Sequence, residues 1–282
     1  MIKEFEKICS KAECGAVEDN SGGIITLNAP GLLRTGGIKH GFTSRIGGIS
    51  PKPFDSLNFS FNRADDPENV RKNYRILAEK RGLDYDKLVL VNHEHGCKVL
   101  RVSKKEAGRG LTREKLPFSD GLITDDPEIT LVTGHADCGS IYLYDPKKHA
   151  IGLAHAGWKG ALLRMAQRLA ESMMKEFSSD PSDMVAALGP CICFDCFEVD
   201  SSLGEKFKAE FGQSSIVKEG RPGKAYVDIE SVLLLQLLEA GIRPENISLM
   251  HRCTYEEKEL FYSYRRDGAG TGAMSAYMKL EK

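Results

Sequence analysis

Residues 135–160, HADCGSIYLYDPKKHAIGLAHAGWKG, set two short apolar runs on either side of an Asp-Pro-Lys-Lys stretch. The runs SIYLY and AIGLA are rich in β-branched, aromatic and aliphatic residues and are bounded by turn formers, so the segment predicts two strands joined at Asp145-Pro146. Cys138 precedes the first strand and His155 ends the second, and a hairpin brings these two residues, seventeen apart in sequence, side by side. Beyond His155 the chain runs AGWKGALLRMA, with glycines where a strand turns into a helix.

Outward from the hairpin, GIITL, KLVLV, KVLRV and ITLVT are further strand candidates, each bounded by Gly, Pro, Asn or Asp. Helical periodicity shows in three places. Asp66-Pro67 starts one helix, with Val70, Tyr74 and Leu77 on one face and Gly82 as its stop. Met165, Leu169 and Met173 mark a second over 160–178, and Val232–Leu238 a third that ends at Gly241. The strands cluster in 86–154 instead of alternating with helices, which predicts an α+β architecture. No repeat, low-complexity tract or linker divides the chain, so a loose N-terminal segment 1–23 and a single domain over 24–282 are expected, with EDNSGG (18–23) as the joint.

The chain has 282 residues, 41% of them hydrophobic, enough to bury a substantial core. Its 39 basic and 40 acidic side chains lack the positive excess of a nucleic-acid or membrane-surface binder, so small molecules are the expected partners. The N-terminus has no apolar leader region and SVLLLQLLEAG is too short to span a bilayer, so the protein is expected in the cytoplasm and off the membrane. Eight cysteines are too sparse for a disulfide scaffold, and there each is a thiol that packs, binds metal or reacts. Nothing in the sequence reports the oligomeric state.

Three roles are open to Cys138: a small core residue, a nucleophile activated by His155, or a metal ligand beside His155. VNHEHGCKV supplies His93 and His95, which alternate to the same side of an extended chain, and one Cys with two His leaves an open position as in a catalytic zinc site. Asp137 is a candidate orienter or acid/base, although in a strand it points away from Cys138. Gly157 starts the following helix, whose free N–H groups suit an anion, and Trp158, the lone tryptophan, either stacks on an aromatic ligand or fills the core. Arg45 before Gly47-Gly48, and Arg265 and Arg266 in a Gly-rich setting, are candidate phosphate or purine contacts. Cys191, Cys193 and Cys196 have Cys-x-Cys-x2-Cys spacing suited to a second metal, but no matching second cluster is evident.

GFTSR (41–45), His95-Gly96, DGLIT (120–124), ADC (136–138), HAGWKG (155–160), GPCICFDCFEVD (189–200) and YSYRRDGAGTG (262–272) occur in the order seen in the laccase-domain family, also called the multicopper polyphenol oxidoreductase or purine nucleoside phosphorylase family. The sequence resembles that family over roughly residues 38–280. The resemblance implies a four-layer fold of two mixed sheets flanked by helices, a zinc held by His95, Cys138 and His155, phosphorolysis of adenosine, inosine, guanosine and methylthioadenosine, and deamination of adenosine. Two departures stand out: His93 replaces the usual Gln, and Ala273 stands where Thr-Gly is commonly followed by Arg.

Blue multicopper oxidation needs more histidines than the seven present, although copper replacing zinc in a one-Cys, two-His set gives adventitious oxidation. Zinc with an open position suits attack of water on a purine, whereas phosphorolysis needs phosphate held at the anomeric carbon, a task for zinc or Arg45. The rival enzyme reading is a hydrolase with Cys138 as nucleophile and His155 as base, such as a peptidoglycan-precursor editing factor; the non-enzymatic rival is a binding module with a structural metal.

Overall fold

The computed structural model describes residues 11–212 and 214–282. In chain order its strands are β1 (Glu13–Cys14), β2 (Val17–Asp19), β3 (Thr26–Asn28), β4 (Ile38–Thr43), β5 (Leu88–Leu90), β6 (Val99–Arg101), β7 (Gly121–Thr124), β8 (Thr130–His135), β9 (Gly139–Asp145), β10 (Ala150–Ala156), β11 (Val185–Leu188), β12 (Glu198–Asp200), β13 (Val217–Glu219), β14 (Lys224–Val227), β15 (Ile247–Leu249) and β16 (Met274–Leu280). The α-helices are α1 (Pro30–Thr35), α2 (Pro67–Arg81), α3 (Trp158–Leu162), α4 (Met165–Phe177), α5 (Ser201–Phe211), α6 (Ile229–Glu239) and α7 (Tyr264–Asp267). No described helix is long and apolar enough to cross a membrane.

The expected hairpin is the centre of the molecule. β9 and β10 pair antiparallel with Ile141 opposite Ala154 and Ser140 opposite His155, and the Asp145 carboxylate closes the turn by accepting the N–H groups of Lys147 and Lys148. Both strands are buried throughout, and their alternation sorts two kinds of core. Ile141, Leu143, Ala150 and Ala154 face α4 and α6, where the alanines let Met165, Leu169 and Met173 approach the sheet. Tyr142, Tyr144, Ile151 and Leu153 face the other way, onto a second sheet.

The hairpin lies inside a seven-stranded mixed sheet of order β1-β15-β11-β9-β10-β7-β6. A six-stranded sheet, β2-β3-β4-β16-β8-β5, packs against it through Phe42, Leu131, Met274 and Met278. α2 covers the outer side of this second sheet with Val70, Tyr74 and Leu77. The result is the expected α+β domain in four layers, helix on sheet on sheet on helix. A third sheet, β12-β14-β13, was not legible in the sequence, because its strands are three or four residues long and largely polar. Also unforeseen is β16, central in the second sheet, although Met274, Ala276, Met278 and Leu280 alternate cleanly onto the inter-sheet core.

Three expectations are corrected. In the segment expected to be loose, residues 1–10 lie outside the described residues, but β1 pairs with β15 and β2 with β3, which ties 13–19 into both large sheets. The single helix over 160–178 is two, because Arg164 adopts a left-handed conformation, φ 62° and ψ 45°, between α3 and α4. The third helix begins earlier than its apolar run, at Ile229, where the Asp228 carboxylate caps the Ser231 N–H.

The break at Arg164 strands polar backbone in the core, and one side chain repairs it. Gln236 on α6 is fully buried; its amide donates to the Ala161 carbonyl (2.7 Å) and its carbonyl accepts the Ala166 N–H (3.1 Å). Gln236→Leu adds apolar area but leaves the Ala166 N–H without its acceptor and the Ala161 carbonyl with the Arg164 N–H alone, so chemical denaturation is expected to show a loss of about 1–3 kcal/mol. Unchanged or raised stability would show that the break needs no such repair.

Candidate metal and substrate site

The N-terminal end of β9, the C-terminal end of β10 and the loop between β5 and β6 converge at one place. His95, Cys138 and His155 each offer one ligand atom there, all within 4.8 Å of one another. The sequence expectation for this trio therefore meets a single cluster. Its geometry depends on a residue that the sequence reading passed over. Asp120, fully buried just before β7, accepts the backbone N–H groups of Glu94 (3.3 Å), His95 (3.2 Å) and Gly96 (2.7 Å) and also the His155 ring Nδ1–H (3.0 Å). Burial works against the Asp120 charge, but the hydrogen bonds from His155 and His93 overcome it and hold the carboxyl well below the usual carboxylate range. An ionised carboxylate only accepts, so His155 carries its proton on Nδ1 and keeps the Nε2 lone pair free, the arrangement of carboxylate–histidine–metal triads.

The choice between His93 and His95 follows from their partners. His93 Nε2 accepts the Gly134 N–H (3.1 Å), and its Nδ1 lies 3.4 Å from Asp120 Oδ1. His93, Asp120 and His155 also cluster, with His93 Nε2 engaged by Gly134 and His155 Nδ1 by Asp120. His95 keeps a ring nitrogen free. The two histidines do not share a side of an extended strand, because His95 takes φ 58° and turns within an irregular loop. His135, which no sequence argument singled out, is fully buried: Nδ1 donates to the Cys138 carbonyl (3.1 Å) and Nε2 accepts the Thr133 hydroxyl (2.7 Å).

Gly157 sits at the centre of the trio. A Cβ there would lie 3.1 Å from Cys138 Sγ, 3.4 Å from His95 Nδ1 and 3.9 Å from the His155 ring. Its φ of −75° suits any residue, so this glycine supplies space and not backbone freedom. The space amid one thiol and two imidazoles, with His155 held in the ligating tautomer, fits a transition-metal ion. The anion site expected at the following helix is weak, since α3 has only five residues.

Burial, reinforced by the charges of Asp137 and Asp120, pushes the Cys138 thiol up to about 12, and burial with the field of His93 lowers His155 to about 4. Without a cation the site therefore holds a neutral thiol and a neutral imidazole at pH 7.

The trio lies in a cavity of about 730 Å³ between the two large sheets' loop ends. Trp158, Phe61 and Tyr264 bring aromatic surface to it, and Arg63, Lys115, Lys159 and Arg265 bring cations. Trp158 is 45% exposed, so it is a cavity-lip residue and not a core plug. Arg265 donates to the Glu198 carbonyl (2.6 Å) and lies over Phe197. Ala273 lines the same wall without a guanidinium.

Two expected contacts are relocated. Arg45 and Arg266 lie outside this cavity, in a shallow cleft of about 460 Å³. Arg45 donates to the Asp55 carbonyl and stacks on Tyr262, while Arg266 ties Asp267 to the Thr254, Tyr255 and Phe261 carbonyls. These contacts tie the surrounding loops together and occupy several of the guanidinium donors. Asp137 has φ 82°, so it is not a strand residue, and both its carboxylate oxygens are taken, by the Thr254 hydroxyl and the Arg265 N–H, each at 2.7 Å. Both bonds hold the cavity wall, which Asp137 itself lines.

Residues 39–281 match the family model described as multi-copper polyphenol oxidoreductase laccase. The chain is 33% identical over 247 residues to purine nucleoside phosphorylase YlmD of Bacillus subtilis, covering 86% of this chain and 88% of that protein. It is 34% identical over 264 residues to purine nucleoside phosphorylase YlmD of Geobacillus stearothermophilus, covering 90% and 96%. The crystal structure of YlmD from Geobacillus stearothermophilus superposes with a TM-score of 0.88 at 32% identity, covering 94% of this chain and 98% of that one.

Two outcomes follow from the geometry. Asp120→Asn cannot accept every N–H that the carboxylate accepts, and it frees the His155 tautomer; zinc affinity measured by chelator competition is expected to fall about 10–100-fold. Unchanged affinity would remove Asp120 from the site. Because above pH 7 the imidazoles are already neutral and only the Cys138 thiol must ionise, zinc affinity should rise about tenfold per pH unit between about pH 7 and 9. Titration calorimetry in buffers of different ionisation heat should show about one proton released per ion, and a flat profile would exclude thiolate ligation.

Proposed function

Because the chain belongs to the multi-copper polyphenol oxidoreductase laccase family, we propose that it is a zinc-dependent purine nucleoside phosphorylase that also deaminates adenosine. The relatives named purine nucleoside phosphorylase support a nucleoside-processing enzyme. The observation that carries the finer reading is the convergence of His95, Cys138 and His155 on a cavity with aromatic and cationic walls. Its volume of about 730 Å³ suits a nucleoside with phosphate. Adenosine, inosine, guanosine and methylthioadenosine are the proposed substrates, and the expected setting is the cytoplasm; among the described residues every cysteine is a free thiol.

His95, Cys138 and His155 would hold the zinc, which when bound supplies a Lewis acid that activates water and stabilises negative charge. Asp120 keeps the Nδ1 proton on His155 and fixes the loop that carries His95. Trp158, Phe61 and Tyr264 offer flat surface to a purine. Arg63 and Lys159 offer charge to phosphate, and each retains unpaired donors for it. In phosphorolysis a phosphate oxygen bonds to the anomeric carbon as the bond to the purine nitrogen breaks, and the base leaves with the electron pair and takes up a proton. In deamination water replaces the amino group, which leaves as ammonia.

The same donor set would also accept copper, giving adventitious oxidation. The Cys138 hydrolase reading is disfavoured by a thiol that burial pushes up to about 12, opposite to an activated nucleophile.

Zinc-loaded protein incubated with adenosine is expected to yield inosine without phosphate, and free base with ribose 1-phosphate only when phosphate is supplied, as followed by chromatography. His155→Ala should abolish both reactions, while Arg63→Ala should lower the phosphate-dependent one about 10–100-fold more than the other. No conversion of any purine nucleoside by the zinc-loaded protein would refute the proposal.

A further inference from the structure

Away from the cavity, a second set of ligating side chains converges. Cys193, Cys196, Cys253 and Glu256 each offer one atom, all within 4.8 Å of one another. By sequence alone the Cys191–Cys196 cluster has no matching second cluster. Its partner in the fold is Cys253-x2-Glu256, which has the same spacing as Cys193-x2-Cys196 but ends in a carboxylate.

Both pairs sit on tight turns of one kind. The Cys193 carbonyl accepts the N–H groups of Cys196 and Phe197, each at 3.1 Å, and the Cys253 carbonyl accepts that of Glu257 at 3.1 Å. The turns are joined by a parallel bridge between Cys191 and Cys253. Across the join, the Cys193 N–H points at Cys253 Sγ (3.4 Å), a backbone donor of the kind that stabilises a thiolate, and Cys196 Sγ lies 3.5 Å from Glu256 Oε1. Donors of a tetrahedral zinc–thiolate site stand about 3.8 Å apart, so a small contraction closes this set around an ion. Cys253 is buried, Cys193 and Cys196 are half-buried, and Glu256 faces solvent, which leaves a path for entry. Three soft thiolates select zinc over calcium or magnesium.

We propose that Cys193, Cys196, Cys253 and Glu256 bind a structural zinc ion that clamps the turn at 193–197 to the turn at 253–257. Three thiols release their protons on binding, and four protein donors close the coordination shell. The clamp stands directly behind the cavity wall. The Ile192 N–H donates to the Asp137 carbonyl (2.9 Å) and the Thr254 hydroxyl to the Asp137 carboxylate (2.7 Å), and Asp137 is the neighbour of Cys138. Ile192 and Phe197 line the cavity itself. The second ion thus positions the wall and touches no substrate. It stands independently of the purine reading.

The test is zinc stoichiometry in the full chain purified without chelator and under reducing conditions. About two ions per chain are expected, with Cys196→Ser and Cys253→Ser each losing about one and keeping the other, and His155→Ala losing the other one. Glu256→Gln, which leaves the thiols in place, should release one ion to a chelator at least about tenfold faster while the far-ultraviolet circular dichroism is unchanged. With cobalt in place of zinc, thiolate charge-transfer absorption should persist in Cys138→Ser and fall sharply in Cys196→Ser. Stoichiometry and chelator release unaltered by all three variants of the cluster would overturn the proposal, as would a disulfide among these cysteines in the reduced preparation. If His155→Ala retains all its zinc while Cys196→Ser loses it, the first centre fails and the second stands.

Discussion

A single carboxylate holds the site together. Asp120 lies at the start of β7, next to β10 in the large sheet, and has no exposure to solvent. A buried charge is costly unless it is fully hydrogen-bonded, and here three backbone N–H groups and one imidazole N–H supply that compensation. The same bonds fold the 94–96 turn, aim His95 at the hairpin and fix which nitrogen of His155 is free. Its backbone joins in too, since the Asp120 carbonyl accepts the His155 N–H at 2.8 Å. One residue therefore couples a loop, a strand end and a tautomer.

Around that anchor the scaffold is made stiff by the division of labour within the hairpin. Tyrosines face the neighbouring sheet and small or aliphatic residues face the helices, so both sides of β9 and β10 are packed and their ends cannot drift. Gly157 then leaves empty the one volume where the three candidate ligands meet. His135 and Asp137 complete the support from the other side: the first grips the Cys138 carbonyl, the second ties the preceding bend to the 250s and 260s.

The cavity shows how charge and architecture part company. Arg45 and Arg266 come from Gly-rich motifs that look suited to a ligand, yet their guanidinium groups are taken up by backbone carbonyls in a separate cleft. The cavity takes its cations from Arg63, Lys115 and Lys159 and, of the Arg265-Arg266 pair, from Arg265 alone. The paired turns at Cys193 and Cys253 lie behind the same wall, so the region that shapes the pocket is also the region richest in thiols.

The sequence by itself determined the hairpin, the α+β class and the meeting of Cys138 with His155, because period-two alternation and turn residues act over a few neighbours and leave a local signature. His95 was reachable as a candidate because His93 and His95 flank a loop between two legible strands. That His93 Nε2 is engaged was decided by Gly134 on β8, forty-one residues away, and no local pattern encodes that bond. Asp120 was visible only as an acid preceding the apolar run GLIT, since its partners come from loops brought together by the β6–β7–β10 pairing. Likewise Cys253 and Glu256 join Cys193 and Cys196 solely through the bridge between two loops sixty residues apart. Local propensity is written in the order of residues, whereas burial, hydrogen-bond partnership and the spare valence of a ligand are properties of distant segments in contact, and these only the tertiary structure decided.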